Sequence, residues 1–121
     1  MIDHLTLKVK DLAKAKAFFA AALGPLGYVV MMEFDGAVGM GADGKADLWI
    51  AQDPANVRPT HLAFLAPSRA AVDAFHAAAL AAGAKDNGGP GLRKEYHPTY
   101  YAAFVLDENG HNIEAVVHRP G

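Results

Sequence analysis

Three residues of this chain have the chemistry of metal ligands and sit in strand-like segments that would aim them. They are His4 in Asp3-His4-Leu5-Thr6-Leu7, His61 in Thr60-His61-Leu62-Ala63-Phe64, and Glu114 in Ile113-Glu114-Ala115-Val116-Val117. Glu114 is the most telling, because an ionised carboxylate in an apolar strand is costly unless a cation meets it. Two neutral imidazoles and one carboxylate on a shared face are the set favoured by Fe(II), Mn(II), Ni(II) or Zn(II), with positions left for water and a bidentate substrate. Such an open ion acts as a Lewis acid on a substrate oxygen. Without a metal, Arg93, Arg119 or water at an exposed strand end are the alternative partners of Glu114.

The elements that must position these residues follow from hydrophobic period. Ile2 to Val9 alternates, with Leu5, Leu7 and Val9 on one face and His4, Thr6 and Lys8 on the other. Asp11 is placed to cap a helix reaching Leu23, with Leu12, Ala15, Phe18, Phe19 and Leu23 at helical spacing and Gly24-Pro25 ending it. Three strand-like runs follow, Tyr28 to Phe34, Ala37 to Met40 and Ala46 to Gln52, separated by Asp35-Gly36 and Ala42-Asp43-Gly44. After a Pro-containing connection the pattern restarts. Thr60 to Ala66 reads as a strand, and Ser68 caps an Ala-rich helix that turns Val72, Phe75, Ala79 and Leu80 inward and ends at Gly83. Ala84 to Tyr96 is Gly-rich and only loosely strand-like; Tyr100 to Leu106 and Asn112 to His118 flank the turn Asp107-Glu108-Asn109-Gly110. The expected class is α+β: two tandem β-α-β-β-β modules, residues 1–52 and 60–121 with a linker at 53–59, in one domain spanning 1–121.

The repeat can be tested by register. Asp3-His4-Leu5 matches Thr60-His61-Leu62, Phe18-Phe19 matches Phe75-His76, and Gly27 matches Gly83, at offsets of 57, 57 and 56 residues. Near-constant spacing indicates duplication. It makes His4 and His61 equivalent positions, and on the last strand of each half Trp49 is the approximate counterpart of Glu114, within one residue of register. Because each helix must lie on the apolar face of its sheet, His4, His61 and Glu114 are expected on the opposite, concave side.

Composition removes several classes of function. A net charge of -2 with 11 scattered Lys and Arg provides no basic field for nucleic acid. The absence of cysteine excludes disulfides, thiolate metal sites and a cysteine nucleophile. The alternating N-terminal segment is unlike a signal peptide and no apolar run has the length of a bilayer span, so the expected setting is the cytoplasm, without membrane association. A chain of 121 residues buries enough surface to fold without a metal staple, so a metal here would serve function.

The segments DHLTLKVKDL, THLAFLAPSRAAVDAFHAAALAAGA and YYAAFVLDENGHNIEAV, in that order, resemble the vicinal oxygen chelate superfamily of glyoxalases, bleomycin resistance proteins and type I extradiol dioxygenases. The resemblance covers nearly the whole chain. It implies a cup-like curved mixed sheet with helices on the outside, a homodimer, and a divalent metal (Fe, Mn, Ni or Zn) held by His4, His61 and Glu114. It also exposes a departure. Members similar to glyoxalase I carry a fourth ligand, Glu or Gln, near the position of Trp49 in ADLWIAQ, and an indole neither binds a metal nor moves a proton. The usual methylglyoxal isomerase chemistry is therefore not expected.

Around the proposed cup, Tyr96-His97-Pro98-Thr99-Tyr100-Tyr101 gathers aromatic rings and an imidazole, with Trp49, Tyr96, His97 and Tyr101 as candidate substrate contacts. His97 and Tyr101 are the candidate acids or bases, Tyr101 being placed by alternation on the face of Glu114. His76, His111 and His118 read as surface, turn and terminal residues. Three functions follow. One is a small metalloenzyme of lyase, isomerase or dioxygenase type acting on an oxygen-rich small molecule. The others are a non-catalytic drug-sequestering protein resembling the bleomycin resistance proteins, and a transferase resembling the fosfomycin resistance enzymes.

Overall fold

The structure is a computed structural model that describes residues 1–121. The first sheet has the order β1-β4-β3-β2, built from β1 (Leu5–Val9), β2 (Val29–Phe34), β3 (Ala37–Ala42) and β4 (Lys45–Gln52). Helix α1 (Leu12–Leu23) crosses from β1 to β2, its first turn capped by the Asp11 carboxylate accepting from Lys14 N–H. The second sheet has the order β5-β9-β8-β6, from β5 (His61–Leu65), β6 (Lys85–Asp86), β8 (Tyr101–Leu106) and β9 (Asn112–Val117), with β7 (Gly91–Leu92) also pairing with β8. Helix α2 (Arg69–Ala81) follows β5 and is capped by the Ser68 hydroxyl. The loosely patterned Gly-rich stretch thus becomes two strands of two residues, too interrupted by glycine to form one continuous edge.

In both sheets the first strand lies at an edge, parallel to its neighbour, the last strand of that half, so the chain must cross over between them, and a helix makes the first leg of that crossover. Each helix then covers one sheet face. Leu7, Val9, Leu48 and Ile50 lie against α1, and Phe64, Ile113, Ala115 and Val117 lie against α2, with Phe19 and Phe75 fully buried in one shared core. The two helices also pack on each other. The open face of each sheet lies on the far side from its own helix.

The halves are locked by the turn between β8 and β9. Asp107 accepts from the Asn109 and His111 N–H groups at 3.0 and 2.8 Å, fixing the turn, and Gly110 supplies its positive φ of 83°. The turn then reaches across to the end of β1. Asn109 Oδ1 accepts from Lys10 N–H at 2.9 Å, and His111 Nε2–H donates to the Lys8 carbonyl at 2.8 Å while its Nδ1 accepts from Thr60 N–H at 3.1 Å. His111, read from sequence as a turn residue, is 1% exposed and joins β1 to the entry of β5. His76 likewise is not a free surface group; its Nε2–H donates to Asp86 at 2.9 Å.

Replacing His111 by Ala leaves a buried carbonyl and a buried N–H without partners and opens a cavity. The expected loss is roughly 2–4 kcal/mol, read by chemical denaturation. A loss below about 0.5 kcal/mol would show that the clasp does not couple the halves.

Candidate functional site

Glu114 is 1% exposed, and two donors meet its carboxyl group. His61 Nε2–H donates to Oε1 at 2.8 Å, and the Tyr100 hydroxyl donates to Oε2. Register explains both contacts. Glu114 pairs with Ala63 on β5, so His61, two residues earlier, is its diagonal neighbour on the same face. On the other side Glu114 pairs with Phe104 of β8, and Ala102 and then Tyr100 continue that face toward the strand entry. The Phe104 ring stands 6.2 Å from the His61 ring, centre to centre.

The arginines suggested by sequence as partners of Glu114 are engaged elsewhere. Arg93 donates to the Gly91 and Gly89 carbonyls at 2.9 and 2.8 Å and lies over the Phe104 ring, and Arg119 donates to the Pro67 carbonyl. Tyr100 is pushed up to about 12, mainly by burial and then by its bond to Glu114. A phenol whose folded-state value exceeds the ordinary 10 contributes stability that is present below pH 10 and is lost as pH rises toward 12.

Tyr101 does not share a face with Glu114, which corrects the expectation from alternation. It pairs with Val117 on the helix-facing side, donates its hydroxyl to Asp73 of α2 at 2.6 Å and takes the Arg69 guanidinium over its ring. Tyr100, the residue passed over, is the one that reaches the carboxylate. The signal lay in the hairpin: antiparallel closure at Asp107 and His111 sets Phe104 opposite Glu114, and therefore even-numbered residues on its face. Tyr96 packs edge-on against Tyr100 at 5.1 Å, and His97 Nδ1 accepts from Thr99 N–H at 3.2 Å. Both support the Tyr100 turn rather than touching Glu114.

His4 is placed apart from this pair. It precedes β1 on the open face of the first sheet, exposed, with Nδ1 2.7 Å from Asp3, which Lys45 also holds at 2.8 Å. These two partners, Lys45 first, keep the Asp3 carboxyl below its ordinary range. No group of three His, Asp or Glu side chains able to hold a metal forms within the chain. The duplication nevertheless holds to the residue: Thr6 pairs with Trp49 as Ala63 pairs with Glu114. Trp49 therefore stands to His4 as Glu114 stands to His61. Its indole is stacked on Phe34 at 5.9 Å and fits because Gly39, its partner on β3, has no side chain.

His61 Nε2 and Glu114 Oε1, joined here by a hydrogen bond of 2.8 Å, are donor types that a divalent ion takes once the imidazole nitrogen gives up its proton. One donor is buried and fixed, and the other lies on an exposed side chain, which leaves the outer positions open.

A family model of the Glyoxalase/Bleomycin resistance protein/Dioxygenase superfamily matches residues 1–115. The chain belongs to this superfamily. A glyoxalase/bleomycin resistance protein from Albidiferax ferrireducens is 28% identical, superposes with a TM-score of 0.82, and the match covers 98% of both chains. A glyoxalase/bleomycin resistance protein/dioxygenase family enzyme from Burkholderia phytofirmans has the same fold, with a TM-score of 0.74, 16% identity and 98% of both chains covered. The corresponding domain from Frankia gives the same TM-score of 0.74 at 16% identity, again over 98% of both chains. The curated proteins contain no significant match to the chain. Members of the superfamily commonly use divalent metals on small molecules and are often dimeric.

Gly39→Ala places a methyl group 2.9 Å from the Trp49 ring. The expected result is a shift of intrinsic fluorescence, which reports this single tryptophan, with a stability loss of roughly 1–3 kcal/mol. An unchanged spectrum would show that Gly39 does not hold the indole in place.

Proposed function

We propose that this protein is a metal-dependent enzyme of the lyase, isomerase or dioxygenase type, acting on a small molecule through two neighbouring oxygens. Its divalent site (Fe, Mn, Ni or Zn) is formed by His61 and Glu114 of one copy with His4 of a second, in a homodimer. The observation that carries this reading is the buried Glu114 carboxylate paired with an exposed His61 imidazole at 2.8 Å on an open sheet face. A pair that served only the core has no need to leave its imidazole at the surface.

The open faces also support pairing. Met32 and Phe34 border Trp49 on the face of His4, Leu65 shares the face of His61, and these side chains are 46%, 63% and 72% exposed. Facing the first sheet of one copy with the second sheet of another would cover them and bring the His4 position opposite Glu114. A bound ion would supply Lewis acidity to the substrate oxygens. The chain's residues do the rest. Glu114 offers Oε1, His61 must release the Nε2 proton to bind, and Trp49 with Phe34 forms a flat apolar wall that orients the substrate and excludes water. That same stack favours a second reading, a non-catalytic binder of planar small molecules.

Protein purified without a chelating tag from metal-replete growth is expected to hold close to one divalent ion per chain, lost in His4→Ala, His61→Ala and Glu114→Gln. Random pairing of His4→Ala with His61→Ala chains should recover about a quarter of the sites, because each mixed dimer rebuilds one intact site. A parent free of metal would sink the enzymatic reading and favour the binder. A parent that binds metal while the mixture recovers none would sink the shared site.

A further inference from the structure

The turn from Arg93 to Tyr100 is organised to hold one hydroxyl. Tyr96 N–H donates to the Arg93 carbonyl at 3.0 Å, Tyr100 N–H to the His97 carbonyl at 3.1 Å, and Arg93 N–H to the Tyr100 carbonyl at 2.7 Å. The Tyr100 ring is gripped edge-on from two sides, by Tyr96 at 5.1 Å and by His118 at 5.2 Å. Thr99 ties the arrangement to the chain end by donating its hydroxyl to the His118 carbonyl. A phenol fixed at this many points has little freedom, and its hydroxyl ends on Glu114 Oε2.

We infer that Tyr100 is a positioning residue which makes Glu114 a one-oxygen ligand: it occupies Oε2 and presents Oε1 toward His61. This rests on the metal-site reading above. The physical reason is valence. Each carboxylate oxygen can serve a metal, and a carboxylate free to rotate about its last torsion can chelate through both, using a position that a bidentate substrate needs. A strong donor on Oε2 fixes the carboxylate plane and leaves a single oxygen for coordination. Outer-shell donors of this kind tune affinity as well as geometry. The two tyrosines divide the labour by parity, Tyr100 on the carboxylate and Tyr101 on Asp73 across the sheet.

The test has two arms, both on the full chain. In the metal-free protein, a double-mutant cycle of His61→Ala and Glu114→Gln measures their coupling as a ratio of unfolding constants. It is then repeated in the Tyr100→Phe background. A coupling of about five-fold or more that falls to within about two-fold of unity without the hydroxyl is expected. Coupling that is absent with Tyr100 in place, or unchanged without it, overturns the inference whether or not the protein binds metal. In the second arm, Co(II) is titrated into parent, Tyr100→Phe and Tyr101→Phe. Tyr100→Phe is expected to weaken binding roughly 10- to 100-fold and to alter the visible absorption of bound Co(II), with Tyr101→Phe matching the parent. Parent-like affinity and spectrum in Tyr100→Phe overturn the inference. A parent that takes up no Co(II) overturns the metal-site reading instead, and the first arm still decides the role of Tyr100.

Discussion

The second sheet is arranged around one buried carboxyl group, that of Glu114. A buried carboxylate is costly, and only strong donors or a cation offset that cost. The Glu114 side chain has two donors, and neither comes from its own strand. Meeting this demand constrains much around it. β5 must run parallel beside β9 in the register that sets His61 diagonal to Glu114, and β8 must enter with Tyr100 on the same face. The aromatic turn that precedes β8 then holds the Tyr100 ring.

A second constraint acts between the halves. Nothing in the sheet ladders joins one sheet to the other, so their relation depends on the shared helix core and on the turn Asp107 to His111. That turn uses Asp107 to shape itself and Asn109 and His111 to reach the end of β1. The residues that most resemble a superfamily signature, DENGHNIEAV, thus do two jobs. Their first half fastens the chain to itself, and their second half carries the carboxylate.

Much of this was legible in the sequence because it rests on local period. Alternation in Ile2 to Val9 and Thr60 to Ala66 told which way His4 and His61 point, and comparison of the last strand of each half gave Trp49 as the approximate counterpart of Glu114. What was not legible required pairing between distant strands. The face of Tyr100 or Tyr101 depends on where the 107–110 turn closes, and a shift of one residue exchanges them. The burial of His111 depends on Lys8 and Thr60, far away in the chain and without any periodic mark. The separation of His4 from His61 depends on how the two halves of the chain pack together, which amphipathic spacing does not encode.

The duplication explains why the two halves are unequal. Each half places a histidine two residues before a position that faces the last strand, and each offers that last strand one side chain in return. One half returns Glu114, which needs donors and can accept a cation. The other returns Trp49, which needs only space, and Gly39 supplies it. A carboxylate at Trp49 would add an anionic donor beside His4, whereas the indole exchanges that charge for a flat apolar surface. The same duplicated geometry therefore places a carboxyl group on one side and a flat apolar surface on the other, the two features on which the proposed site draws.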